Sequence, residues 1–105
     1  MYVRKITNSG QISIPKELYQ VLDINDGDYL FINQEKNQLV IQSSHPDKSL
    51  NQCIFRRGKF TIPTELRKIL NINNSTLLMI QAYPEESSLS IKPLNQHVES
   101  IDYYK

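Results

Sequence analysis

The chain states one pattern twice, and that repeat constrains its fold more than anything else in the sequence. Gly10-Gln11-Ile12-Ser13-Ile14-Pro15-Lys16-Glu17-Leu18 returns 48 residues later as Gly58-Lys59-Phe60-Thr61-Ile62-Pro63-Thr64-Glu65-Leu66. The correspondence continues without a gap through Leu22/Leu70, Ile24/Ile72, Asn25/Asn73, Leu30/Leu78 and Ile32/Ile80. Each copy spans about 43 residues, close to the ~40 below which a lone domain rarely buries enough apolar surface. One intertwined domain made of two copies is therefore expected, not two independent ones. Its parts are a first copy over 1–43, a polar linker over 44–50, a second copy over 51–94 and a C-terminal tail over 95–105.

Within the first copy, Tyr2 to Thr7 reads as a strand ending in the turn Asn8-Ser9-Gly10. Gln11 to Ile14 alternates polar and apolar, the period of a half-buried strand. Pro15 stops that strand and suits a helix start. Leu18, Val21 and Leu22 then give a short helix one apolar stripe. After the turn Asp26-Gly27-Asp28, Tyr29–Asn33 and Leu39–Gln42 form a hairpin around the polar loop 34–38. In the second copy, Cys53-Ile54-Phe55, Lys59–Ile62, a helix with Leu66, Ile69 and Leu70, and a hairpin of Leu77–Ala82 and Leu89–Lys92 repeat the order. The tail has only weak helical periodicity, in Val98 and Ile101, and Tyr103 and Tyr104 in it either pack or fray.

Net charge is +1, but it is unevenly placed. Residues 1–42 hold four cations against five anions, and residues 51–94 hold six against three. Five of those six cations lie between positions 56 and 68, a basic cluster of the kind phosphate binding needs. No apolar run approaches the ~20 residues of a membrane span. The opening residues lack the long apolar stretch of a secretory signal, and the single cysteine, Cys53, excludes an intrachain disulfide. A cytoplasmic location is expected. No enzyme is expected either, since His45 and His97 stand apart from each other and from Cys53, and no nucleophile–base set or phosphate loop appears. The expected cofactors, metals and catalytic residues are none.

The order strand, Gly-basic-x-x-x-Pro-x-x-Leu, short helix, Gly-Asp, hairpin resembles the AbrB/MazE-type swapped-hairpin DNA-binding family. Val3-Arg4-Lys5-Ile6 followed by Gly10 to Leu18 looks particularly like AbrB-type regulators, and the likeness covers residues 3–42 and 51–92. The tandem arrangement is also similar to that of MraZ proteins. The resemblance implies a mainly β fold, in which tandem swapped-hairpin repeats form one pseudo-two-fold barrel with short helices. Double-stranded DNA is the implied partner, and self-association to a dimer is a further one.

Carried over by position, the family's DNA-contacting residues split between the copies. The first copy keeps Arg4 and Lys5, but has Gln11, Tyr19 and Gln20 where arginines are common. The second has Gln52 and Cys53 in place of the leading pair, yet supplies Lys59, Arg67 and Lys68 and adds Arg56 and Arg57 in the turn. The candidate DNA-binding set is thus Arg4, Lys5, Asn8, Gln11, Arg56, Arg57, Lys59, Arg67 and Lys68. The amides of Asn8, Gln11 and Gln20 suit adenine edges where they point outward. The split favours asymmetric over palindromic recognition. Two alternatives stay open: a MazE-like antitoxin with a small toxin partner, and a protein–protein module that keeps the fold without DNA. The tail, with Glu99 and Asp102 as its only acids, is a poor toxin-neutralising segment.

Overall fold

The computed structural model describes residues 2–94, so the readings made for the tail 95–105 lie outside the described residues. In chain order the elements are β1 (Tyr2–Arg4), β2 (Gln11–Ser13), α1 (Lys16–Val21), β3 (Tyr29–Glu35), β4 (Gln38–Gln42), β5 (Asn51–Ile54), β6 (Lys59–Thr61), α2 (Thr64–Ile69), β7 (Leu78–Tyr83), a single 3-10 turn (Pro84–Glu86) and β8 (Ser88–Pro93). The fold is mainly β, as expected.

Six strands form one antiparallel sheet in the order β1-β7-β8-β4-β3-β5, and β2 pairs β6 in a separate ribbon. Exchanging the two halves leaves that order unchanged. The first strand of each half joins the hairpin of the other: β1 lies on β7 and β5 on β3. Val40 faces Ser90 at the centre of the sheet, flanked by Leu39 opposite Ile91 and Ile41 opposite Leu89. Ile12 faces Phe60 at the centre of the ribbon. Both centres lie on one pseudo-two-fold axis. The six-stranded ladder ends on β1 and β5 without joining them, so it does not close into a complete barrel.

Alternation explains how so few residues per strand suffice. Ile12 and Phe60 are buried while Gln11, Ser13, Lys59 and Thr61 are exposed, so the ribbon lays its apolar face on the core and turns its polar face outward. One continuous cluster draws Ile6, Ile14, Leu30, Ile32, Leu39 and Ile41 from the first half. From the second it draws Phe55, Ile62, Leu66, Leu78, Ile80, Leu89 and Ile91. Leu18 and Leu22 pack against it only half-buried.

Each helix is six residues long, and both are closed by the same device. Asp23 and Asn71 take the left-handed conformation at φ 56° and 57°. Their amides donate to Gln20 and Lys68 carbonyls, and the next amides, of Ile24 and Ile72, reach back to Tyr19 and Arg67. This is a Schellman ending with Asp or Asn where glycine is usual.

Four local expectations change. Val21 and Ile69 do not belong to the buried stripe; they are 56% and 60% exposed, because a helix this short offers the core only its first apolar row. The hairpin loop predicted over 34–38 is only the two residues Lys36 and Asn37, with Glu35 paired to Gln38; Lys36 adopts φ 56°, which a two-residue turn requires. The later loop tightens likewise, with Tyr83 paired to Ser88 around the 3-10 turn. The first strand ends at Arg4 and not Thr7, since its ladder partner β7 begins at Leu78.

Candidate nucleic-acid interface

The two turns that feed the ribbon differ by one residue. Thr7 and Gln11 enclose Asn8, Ser9 and Gly10, with Gly10 N–H donating to Thr7 O at 3.0 Å and Gly10 at φ 87°. Arg56 and Lys59 enclose only Arg57 and Gly58, exchanging two backbone hydrogen bonds of 2.9 Å. Arg57 and Gly58 both have positive φ, 52° and 76°, the type I′ geometry that matches strand twist. Upstream of the turns the halves are therefore offset by 49 residues: buried Ile6 corresponds to buried Phe55. The structural counterparts of Arg4 and Lys5 are accordingly Cys53 and Ile54, not Gln52 and Cys53.

The halves interlock at these turns. Ile14 N–H donates to Gly58 O at 2.8 Å and Ile62 N–H to Gly10 O at 2.9 Å. Over Gly10 lies the guanidinium of Arg67, so close that a Cβ there would stand 2.6 Å from Cζ. Over Gly58 lies the ring of Tyr19, the counterpart of Arg67. Tyr19 also meets Phe55 edge-on, with centroids 5.0 Å apart. Each turn is thus covered by the helix of the other half.

This exchange rearranges the candidate cations. Arg56, Arg57 and Lys59 are exposed and, with Gln11 and Asp26, line one open recess of about 460 Å3. The carboxylate in it is engaged, since Arg57 N–H donates to Asp26 Oδ1 at 2.6 Å and so fixes the turn. Nearby, Gly27 N–H donates to Phe55 O and Phe55 N–H to Asp28 O, pinning the first half's loop to the second half's strand. Asp26 was not among the expected site residues; its alignment with Asn74 was the available signal.

Around the first turn the chemistry is different. Thr7, Asn8, Asn73, Asn74 and Arg67 line a smaller recess of about 210 Å3 with Ile6 and Ile72. Asn74 Nδ2 donates to Asn8 Oδ1 across the two halves. Arg67 is half-buried and held inward: Nε donates to Ile62 O and Nη2 to Thr64 Oγ1, each at 2.9 Å. Lys68, next to Arg67 in sequence, and Lys5, two residues before Thr7, are exposed. Arg4 is half-buried; its Nη1 donates to Val3 O and its guanidinium lies 5.9 Å from the Tyr2 ring centre. The structure thus gathers Gln11, Arg56, Arg57 and Lys59 at one recess and Asn8 and Arg67 at the other, and leaves Lys5 and Lys68 exposed outside both linings.

Chemistry elsewhere is sparse. Cys53 packs half-buried against the core, and desolvation pushes its thiol up to about 12. Asp47 is held below its usual value by the Oγ and N–H of Ser49, both donating to its Oδ1. Among the described residues no three His, Cys, Asp or Glu side chains converge as a metal site, and no helix is long and apolar enough to cross a membrane.

Neither a curated protein nor a solved structure matches the chain. Residues 3–49 match the family model described as antidote-toxin recognition MazE, bacterial antitoxin. That stretch covers β1 to β4, the same elements whose strand exchange and crossed turns have just been set out. Over residues 3–49 the chain is thus similar to the MazE antitoxin family.

Proposed function

We propose that the protein is a cytoplasmic, double-stranded DNA-binding transcriptional regulator of the AbrB type, with two AbrB-like copies, 1–43 and 51–94, fused into one pseudo-dimer. The observation that carries this reading is the recess of Gln11, Arg56, Arg57 and Lys59 on the outward face of the ribbon. Three cations meet there beside one carboxylate that is occupied by a backbone N–H. Such a surface neutralises phosphates and releases counterions. Lys5 and Lys68 are further exposed cations. Fluorescence anisotropy with random and A/T-rich duplexes across a salt series tests the reading. Binding should fall steeply with salt, and Arg56→Ala with Arg57→Ala should flatten the slope by about 1.8, near 0.9 for each phosphate no longer neutralised. No binding at low salt would sink it.

A second reading rests on the family description itself, which names toxin recognition. In that case the chain binds a small toxin protein, and a toxin should co-purify with it from its native host at fixed stoichiometry.

A further inference from the structure

The two ends of the β2–β6 ribbon are related by the pseudo-axis but carry different chemistry. At the Gly58 end, Arg56 beside the two-residue turn and Arg57 on it are both exposed, and the turn is anchored through Asp26. At the Gly10 end, exposed Asn8 and Asn74 are hydrogen-bonded to each other. That bond uses Asn74 Nδ2 and Asn8 Oδ1, so the pair still carries a donor in Asn8 Nδ2 and an acceptor in Asn74 Oδ1. The arginine on this side, Arg67, is committed to Ile62 and Thr64 and covers Gly10.

We infer that the interface has a direction: it reads a non-palindromic duplex, with a G·C pair under the Arg56–Arg57 turn and an A·T pair under the Asn8–Asn74 pair. This rests on the DNA-binding reading above. A guanidinium fork matches guanine O6 and N7, and a carboxamide donor–acceptor pair matches adenine N6 and N7. Lysines supply phosphate contacts that fix register but carry no sequence information. Lys59 stands at the arginine end, and among the described residues no lysine lines the recess at the amide end. The base-reading groups at the two ends therefore differ. The ends cannot exchange roles, because one turn is a residue shorter and the counterpart of Arg67 is Tyr19.

The test is selection of duplexes from a randomised pool by the full chain, followed by anisotropy on the selected duplex. Arg57→Asn and Asn74→Ala are compared with the parent. Asparagine tolerates the left-handed backbone at position 57, so Arg57→Asn removes the fork without straining the turn. The selected site should lack two-fold symmetry. Arg57→Asn should weaken it about tenfold, with the penalty vanishing once the G·C pair is replaced, and Asn74→Ala should do the same at the A·T end only. Thermal melts of both variants confirm that the fold is intact. A palindromic site, salt-sensitive binding with no preferred sequence, or variants that weaken every duplex alike would overturn the direction and leave DNA binding standing. Absence of salt-sensitive binding to any duplex would remove both.

Discussion

Gly10 shows how much one missing Cβ controls. Its φ of 87° suits glycine, and the space above it is filled by the Arg67 guanidinium. Gly27 has the same kind of φ, 90°, but a Cβ added there would meet nothing within 4 Å. Gly10→Ala should therefore cost about 2–4 kcal/mol, from the left-handed strain plus displaced Arg67 hydrogen bonds, and Gly27→Ala only about 1–2 from strain. Urea denaturation of the two variants separates the terms; equal losses would mean that Arg67 swings aside freely. Cys53 supports a second prediction. Below pH 9 its thiol is protonated in both folded and unfolded chains; above that the unfolded chain ionises and the folded one does not, until about 12. Stability should decline as pH rises through that interval, and a Cys53→Ala variant should decline less. At this scale the sequence was legible where a residue type answers to backbone geometry, as with Gly10 and Gly58. It was not legible for Arg67: a helix-borne arginine reads as a surface cation until the glycine beneath it is seen to belong to the other half.

Among the elements, the ribbon β2–β6 is the most exposed to damage. It has three residue pairs, and its hold on the core comes from Ile12 and Phe60, which face each other on the axis. Phe60→Ala should cost about 3–5 kcal/mol, whereas Val21→Lys and Ile69→Lys should each stay within about 0.5 kcal/mol because those side chains face solvent. Calorimetry on the three variants checks the contrast; a large loss at Val21 or Ile69 would mean that the helices bury a surface against another molecule. Period-two alternation made the ribbon strands readable in advance. The tight hairpins were not, because Gln34, Glu35 and Gln38 are polar and look like loop. Their backbone is paired within the sheet, and composition reports only that their side chains reach water.

For the whole molecule, the decisive fact is that β1, β2, β5 and β6 pair, among the described residues, only with strands of the opposite half. A fragment of residues 1–49 should not fold as a monomer. It should be unfolded when dilute and gain structure only by pairing with a second copy, so its melting temperature should climb with concentration. Light scattering coupled to circular dichroism decides this, and a cooperative monomeric transition would contradict it. The repeat itself was legible, since spacing and apolar pattern survive in the sequence. Which helix covers which turn is a long-range outcome of the crossing, and no window of local sequence records it.

The eight residues between β4 and β5 carry a consequence for how such a protein behaves at low abundance. They run from Ser43 to Leu50, with Asp47 gathering Ser49 and His45 and with Lys48 and His45 near the Phe31 ring. Two separate chains assembling this fold would come apart as they are diluted. A tether this short holds the halves at an effective concentration on the order of millimolar, whatever the number of copies in the cell. The assembled form then persists down to a single molecule, and each half is free to mutate without imposing the same change on its counterpart.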